Sequence, residues 1–239
     1  MCGRYASSAD PDLLVEEFEI DEVEDGLPEA NWNVAPTDPV PAVLERAGDE
    51  GVTRKLRPLR WGLVPSWAKD RSIGARMINS RLETVAEKPS FRKAFRARRC
   101  LLPADGYYEW YETEQQKAGK LVKQPFFIHR VDGGRLVMAG LYEFWKDPKL
   151  EGDQAWWLSC SVITTTATDA LGHIHDRMPM VIPPDAWDAW LDPALTDADT
   201  ALDLLAVTEA DQLQAYAVST QVNSVRNNGP DLVQPLAVS

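Results

Sequence analysis

Cys100-Leu101-Leu102-Pro103-Ala104-Asp105-Gly106-Tyr107-Tyr108-Glu109-Trp110-Tyr111 decides how this chain is read. Its two short apolar or aromatic runs, Cys100–Leu102 and Tyr107–Tyr111, are too brief for helices and read as strands. Runs of the same kind recur at Val40–Glu45, Leu56–Leu63, Pro125–Arg130, Leu136–Leu141, Trp157–Thr164, Met180–Ile182 and Leu213–Val218. Helical signals are few. Asp10-Pro11 opens one helix through Leu13, Leu14, Val15 and Phe18, and Ser90 is placed to cap a second with Phe91 and Phe95 on one face. Pro184-Asp185 starts a third through Trp187 and Trp190, and Thr196–Leu205 reads as a fourth. Residues 21–39 read mostly as loop and Thr113–Gln124 as an exposed hairpin loop. No βαβ rhythm and no glycine-rich phosphate loop is seen. The expected fold is α+β: one domain spanning 1–239, with a mostly antiparallel, curled or barrel-like sheet flanked by helices.

Composition narrows the class. The 239 residues are 44% hydrophobic and 26% charged, as in ordinary globular proteins. No apolar stretch approaches membrane-spanning length, and no secretory signal is read at the N-terminus, so a cytoplasmic protein is expected, nucleoid-associated if bacterial. Cys2, Cys100 and Cys160 form neither a CxxC motif nor an even set, which argues against a disulfide framework or a zinc cage. His173 and His175 lack further ligands at suitable spacing, so no metal is expected. The net charge is −12, yet residues 54–99 hold 14 Lys/Arg against Asp70, Glu83 and Glu87. That asymmetry can focus an anionic ligand on one face while the acidic remainder repels non-specific nucleic acid; a solvated basic helix and loop would look the same.

Four segments could carry chemistry. Met1-Cys2-Gly3-Arg4-Tyr5 exposes a 1,2-aminothiol once Met1 is removed; an amine and a thiol both titrate within reach of neutrality. In Asn79-Ser80-Arg81 an extended backbone turns Asn79 and Arg81 to one side. Glu109 lies between Tyr107 and Tyr111 on one strand face, where poor solvation raises a carboxyl and suits it to proton transfer. His175-Asp176-Arg177 sets a proton-transfer group beside a guanidinium fork.

Together with Asn33-Val-Ala-Pro36-Thr37 and Trp61-Gly-Leu-Val-Pro-Ser-Trp67, these segments resemble the SRAP domain family, named for an SOS-response-associated peptidase and including proteins that shield abasic sites. The matching segments run in order along essentially the whole chain. The resemblance implies a catalytic set of Cys2, Asn79, Glu109 and His175, and a single-stranded DNA partner carrying abasic sites. DNA contacts are then expected at Arg4, Asn33, Pro36, Trp67, Arg81 and Arg177, with Trp67 stacking on a base and the arginines holding phosphates. The expected activity is covalent capture through a thiazolidine at Cys2, with strand cleavage and removal of Met1 as companion activities. No cofactor and no nucleotide are expected, and the protein is expected to be a monomer. Two rivals stay open at this level: an N-terminal-nucleophile hydrolase or glutamine amidotransferase, and a non-covalent single-strand-binding module.

Overall fold

All the strands expected from sequence form except Met180–Ile182, and pairing of the first and last long strands of one sheet closes it into a barrel. The computed structural model describes residues 2–117, 119–167, 171, 174–205 and 212–237. Five long strands make the ring: β4 (Pro39–Gly48), β5 (Gly51–Trp61), β7 (Arg99–Ala104), β10 (Leu136–Lys146) and β11 (Trp156–Thr166). Neighbours pair antiparallel from β5 through β4, β7 and β10 to β11. The ring then shuts by a parallel pairing of β11 with β5, Ser159 opposite Arg60 and Cys160 opposite Trp61. Reversing direction at each step returns β11 parallel to β5, so an odd ring needs one parallel joint. Short β6 (Asn79–Arg81) and β12 (Arg177–Pro179) flank the far half of β11, and β2 (Glu22–Val23) edges β5.

Period 2 sorts the strands' side chains into two cores. Val40, Ala42, Leu44, Leu59, Trp61, Cys100, Leu102, Met138, Cys160 and Val162 fill the barrel. The alternate positions Val43, Leu101, Val137, Ala139, Leu141 and Ile163 face outward. They pack under α1 (Pro11–Glu17), α2 (Arg92–Ala97), α3 (Trp187–Leu191) and α4 (Ala198–Leu205). Strands buried on both faces explain why β7 and β10 read as continuous apolar runs.

The second sheet carries the chain terminus. Its order is β13 (Leu213–Ala217), β9 (Lys120–Arg130), β8 (Gly106–Lys117), β1 (Tyr5–Ser7) and β3 (Asn31–Val34). Tyr5, Tyr107 and Ile128 join the barrel core. On the other face Ala6, Tyr108 and Phe127 meet the C-terminal residues Val218, Val222 and Leu232.

Several boundaries differ from the sequence reading. The segment expected to be loop at 21–39 contributes β2 and β3, because edge strands need few apolar residues to pair. The hairpin expected to loop from 113 to 124 stays paired as far as Lys117 and Lys120. Met180–Ile182 holds only a single bridge, Val181 to Met138; the paired strand is Arg177–Pro179. Ser90 makes no cap hydrogen bond, since α2 grows out of a preceding turn in which Phe91 and Arg92 donate to the Lys88 carbonyl. Asp10 does cap α1, accepting from Asp12 N–H ahead of Pro11.

After β5 the chain leaves the barrel through Gly62 (φ +137°), and a Cβ there would sit 2.7 Å from the Gly74 carbonyl oxygen. A Cβ on Gly74 would sit 2.5 Å from the Gly62 oxygen. These two glycines let the basic loop fold back onto itself and deliver Asn79 to β11.

Candidate active site

The terminal residues reach their place by strand pairing. Tyr5 lies opposite Tyr107 and Ala6 opposite Gly106, and Tyr108 N–H donates to Arg4 O. The same antiparallel register continued puts Gly3 opposite Glu109. β6 pairs in parallel with β11, Asn79 opposite Val162, which brings Asn79 to the same corner from the other sheet. Asn79 Nδ2 donates to Cys2 O at 2.7 Å, closing a contact across 77 residues of sequence. Asn79 Oδ1 is buried with no hydrogen-bond partner among the described residues.

Burial sets the electrostatics here. Glu109 is 4% exposed, and burial raises its carboxyl to about 7. A group at that position is half ionised at neutral pH and can both give and take a proton. Cys2 is fully buried; burial pushes its thiol well up, the Glu109 charge adds to the rise, and the Arg4 N–H opposes it. The free-thiol behaviour expected from the sequence therefore does not describe Cys2 in place. Its thiol is protonated at neutral pH. His175 is shifted below its ordinary range, chiefly by burial. Its Nδ1 accepts the Arg177 backbone N–H at 3.0 Å, so the neutral ring carries its proton on Nε2. Asp176 Oδ1 lies 2.9 Å from the same Nδ1, a contact that becomes an ion pair only when the ring is doubly protonated.

Glu109 and His175 share an open cleft of about 600 Å³ with Arg4, Trp110, Lys123 and Asn223. Trp110, Lys123 and Asn223 were not singled out in the sequence. Trp110 Nε1 donates to Asn223 Oδ1 at 2.7 Å, and no local pattern announces a partner 113 residues away. Lys123 pairs with Glu112 across the hairpin, in the stretch read as loop.

The residues expected to touch a ligand divide. Arg4 lines the cleft, with Nη1 donating to Asn33 Oδ1 at 2.6 Å and Val222 O at 3.0 Å. Asn33 is 2% exposed, and its Nδ2 donates to the Val222, Ser224 and Asn227 carbonyls. With its amide fully used, Asn33 clips the C-terminal segment to β3 instead of facing a ligand. Pro36 opens a tight turn in which Thr37 has φ +76°, a costly conformation for a β-branched residue. Four backbone and side-chain hydrogen bonds among Ala35, Thr37, Asp38 and Trp61 hold that turn. Arg177 grips Glu83 with both Nη atoms, at 2.6 and 3.0 Å, and also donates to Thr164 O. A phosphate at Arg177 has to compete with that carboxylate. Arg81 is exposed at the end of β6. Trp67 is 57% exposed but lines a separate depression with Lys69, Ser72, Ile73 and Arg76. His173 lies outside the described residues.

The basic stretch is likewise divided. Arg54, Lys55, Arg57 and Arg98 are matched by Glu45 with Asp188, Glu22, Glu24 and Glu143. Buried Arg99 donates to the Phe95, Trp190 and Asp192 carbonyls. The positive field read from residues 54–99 thus comes chiefly from the loop and helix part and from Arg60 on β5, which forms no ion pair among the described residues, while Arg54, Lys55 and Arg57 on that strand are neutralised in place.

The barrel and the second sheet thus bring a near-terminal cysteine together with an amide and a carboxyl titrating near neutrality, and set a neutral imidazole in the same cleft as that carboxyl, groups that can carry nucleophilic and acid–base chemistry. Among the described residues no cluster of three or more His, Cys, Asp or Glu side chains could hold a metal ion. The model of the family described as SOS response associated peptidase (SRAP) matches residues 1–225, and the chain belongs to that family. It is 39% identical over 235 residues to abasic site processing protein YoqW of Bacillus subtilis (strain 168), covering 98% of this chain and 99% of that protein. With abasic site processing protein YedK of Escherichia coli (strain K12) the identity is 33%, over 99% and 100% of the two chains. A crystal structure of a Bacteroides thetaiotaomicron protein superposes with a TM-score of 0.80 at 25% identity, covering 98% of this chain and 99% of the other.

Proposed function

We propose that this protein processes abasic sites in single-stranded DNA by capturing them covalently on Cys2 after Met1 is removed. The observation that carries the reading is the hydrogen bond from Asn79 to the Cys2 carbonyl beside buried Glu109, which fixes a terminal residue against an acid–base group. The names of the relatives supply the substrate class.

The ring-opened abasic sugar offers one aldehyde carbon. The Cys2 amine adds its lone pair to that carbon, and the carbonyl oxygen takes a proton to give a carbinolamine. Protonated Glu109 delivers a proton to the departing hydroxyl; water leaves and a protonated imine forms, its nitrogen keeping one N–H. Glu109, now ionised, accepts the thiol proton as Sγ adds to the iminium carbon, whose π electrons return to nitrogen and leave it a neutral secondary amine. The product is a five-membered thiazolidine. Amine and thiol on one residue make closure intramolecular, with the large effective concentration that implies. Asn79 Oδ1 accepts an N–H of the amine, and His175 Nε2–H donates to the sugar oxygens. Without the thiol the imine would hydrolyse or undergo β-elimination and cut the strand. The peptidase reading of the family description is met by removal of Met1.

The test is a denaturing gel with a single-stranded oligonucleotide carrying one abasic site. Wild type is expected to give a shifted band that survives heat and detergent; Cys2→Ala gives none without reductive trapping, and an intact base gives none at all. A glutaminase assay on the same sample separates the amidotransferase rival. Ammonia release with no DNA adduct overturns the proposal, and so does DNA binding that detergent strips completely.

A further inference from the structure

The ring of strands has a second end, away from Cys2. Counting by twos along each strand extends the barrel lining outward: Leu44 to Arg46 on β4, Leu59 to Arg57 on β5, Tyr142 to Phe144 on β10, and Cys160 to Leu158 and Trp156 on β11. These five residues line the barrel mouth, an open cavity of about 600 Å³ with Glu24 and Asp153 at its rim. Val162, the register partner of Asn79, is six residues from Trp156, so the mouth lies about 20 Å along β11 from the active site at ~3.3 Å per residue.

The mouth combines flat aromatic faces with guanidinium groups. Arg46 and Arg57 lie over the Phe144 ring at 5.3 and 6.0 Å, and Lys146 over Trp156 at 5.7 Å. Trp156 remains 48% exposed. Arg57 is paired with Glu24 at 2.8 Å, but its Nε is buried with no hydrogen-bond partner among the described residues. Arg46 forms no ion pair among them. Next along the surface, Trp157 sits between Arg60 and Arg71, at 5.4 and 4.6 Å, and Arg71 opens the turn that borders the Trp67 depression.

We propose that the barrel mouth is a second binding site for a nucleotide unit, its base stacked on Trp156 and its phosphate held by Arg46 and Arg57. Stacking on an aromatic next to arginine accepts any base and suits single strands. The unit can belong to a free nucleotide or to the strand beyond the active site, reached past Trp67 and Trp157. The second source rests on the proposed function; the first does not.

The test uses the full chain and probes without a lesion. Tryptophan fluorescence follows a titration with dTMP, and anisotropy follows a labelled 20-residue oligothymidylate, for wild type, Trp156→Ala and Arg46→Glu. One stacked base predicts a loss of about 5- to 100-fold in affinity in Trp156→Ala, and loss of a phosphate contact predicts weaker binding with a shallower salt dependence in Arg46→Glu. A dTMP response lost in both variants assigns the site to free nucleotides, and weakened oligothymidylate binding assigns it to the strand. Unchanged affinity for both probes in both variants overturns the proposal. Covalent adduct formation on a five-residue abasic oligonucleotide, run in parallel, stays at the wild-type level in both variants. Its absence in wild type would refute the proposed function and leave the dTMP result to judge the mouth.

Discussion

Replacing Glu109 by Gln should make the protein more stable and less active, in a pH-dependent way. Folding raises this carboxyl from 4.5 to about 7, mainly by burial. The folded state therefore holds its proton more tightly than the unfolded chain. Below pH 4.5 both states are protonated and the group is neutral towards stability. Between 4.5 and about 7 the unfolded chain releases its proton first, and stability falls as pH rises. Above 7 the loss is complete: about 2.5 units at 1.36 kcal/mol each, or roughly 3 kcal/mol. Glu109 is 4% exposed, so solvent screening takes little from this figure. A Gln of the same shape never ionises. The melting temperature of Glu109→Gln is expected to match wild type near pH 4 and to exceed it by about 6–12 °C at pH 8. Adduct formation on an abasic oligonucleotide should slow by about 10²–10⁴ over the whole range, as for loss of a general acid–base group. Thermal scans at pH 4, 6 and 8 decide the matter. A stability difference that does not change with pH, or a Gln variant no more stable at pH 8, refutes the claim that burial tunes this acid.

Other substitutions test the remaining parts. Asn33→Ala strips the Val222, Ser224 and Asn227 carbonyls of their shared donor, and should cost about 2–4 kcal/mol, with faster amide exchange across 222–227. Gly74→Ala forces a methyl to 2.5 Å from the Gly62 oxygen; a loss of at least about 1–3 kcal/mol is expected in denaturant titration, and wild-type stability would contradict the close approach. Trp67→Ala, at a 57% exposed position, should leave the melting temperature within a few degrees. It should nevertheless weaken binding of undamaged single strands by about 5- to 100-fold, and equal affinity in a salt-matched titration would count against stacking. Asn79→Ala is expected to slow adduct formation by at least about tenfold with Cys2 still present, because the terminal carbonyl loses its 2.7 Å donor; an unchanged rate would remove Asn79 from the mechanism.

Much of this molecule is local in origin and was legible in the chain itself. The two-residue alternation of β4 and β5, the doubly buried runs of β7 and β10, and the Asp10-Pro11 start of α1 need only their own neighbours to form. The ordered motifs likewise made Cys2, Asn79, Glu109 and His175 candidates without coordinates, and the fold brings Asn79 to Cys2 and sets Glu109 and His175 in one cleft. Edge strands β2 and β3 escaped notice because pairing, not side-chain pattern, holds them. A sequence cannot say which partners a polar group already has: Asn33 donates to Val222 O, and Arg177 pairs with Glu83, with which a phosphate there would compete.

What tertiary structure decided is whatever depends on groups distant in the chain. Barrel closure joins Cys160 to Trp61, and the Asn79 contact with Cys2 spans both sheets. The proton affinities of Cys2 and Glu109 come from the water that folding excludes around them, and no residue carries that property in its own side chain. Local steric preference acts over a few residues, so it writes strands and turns into the sequence; desolvation, ion pairing and ring closure are long-range, and only the assembled fold supplies their partners.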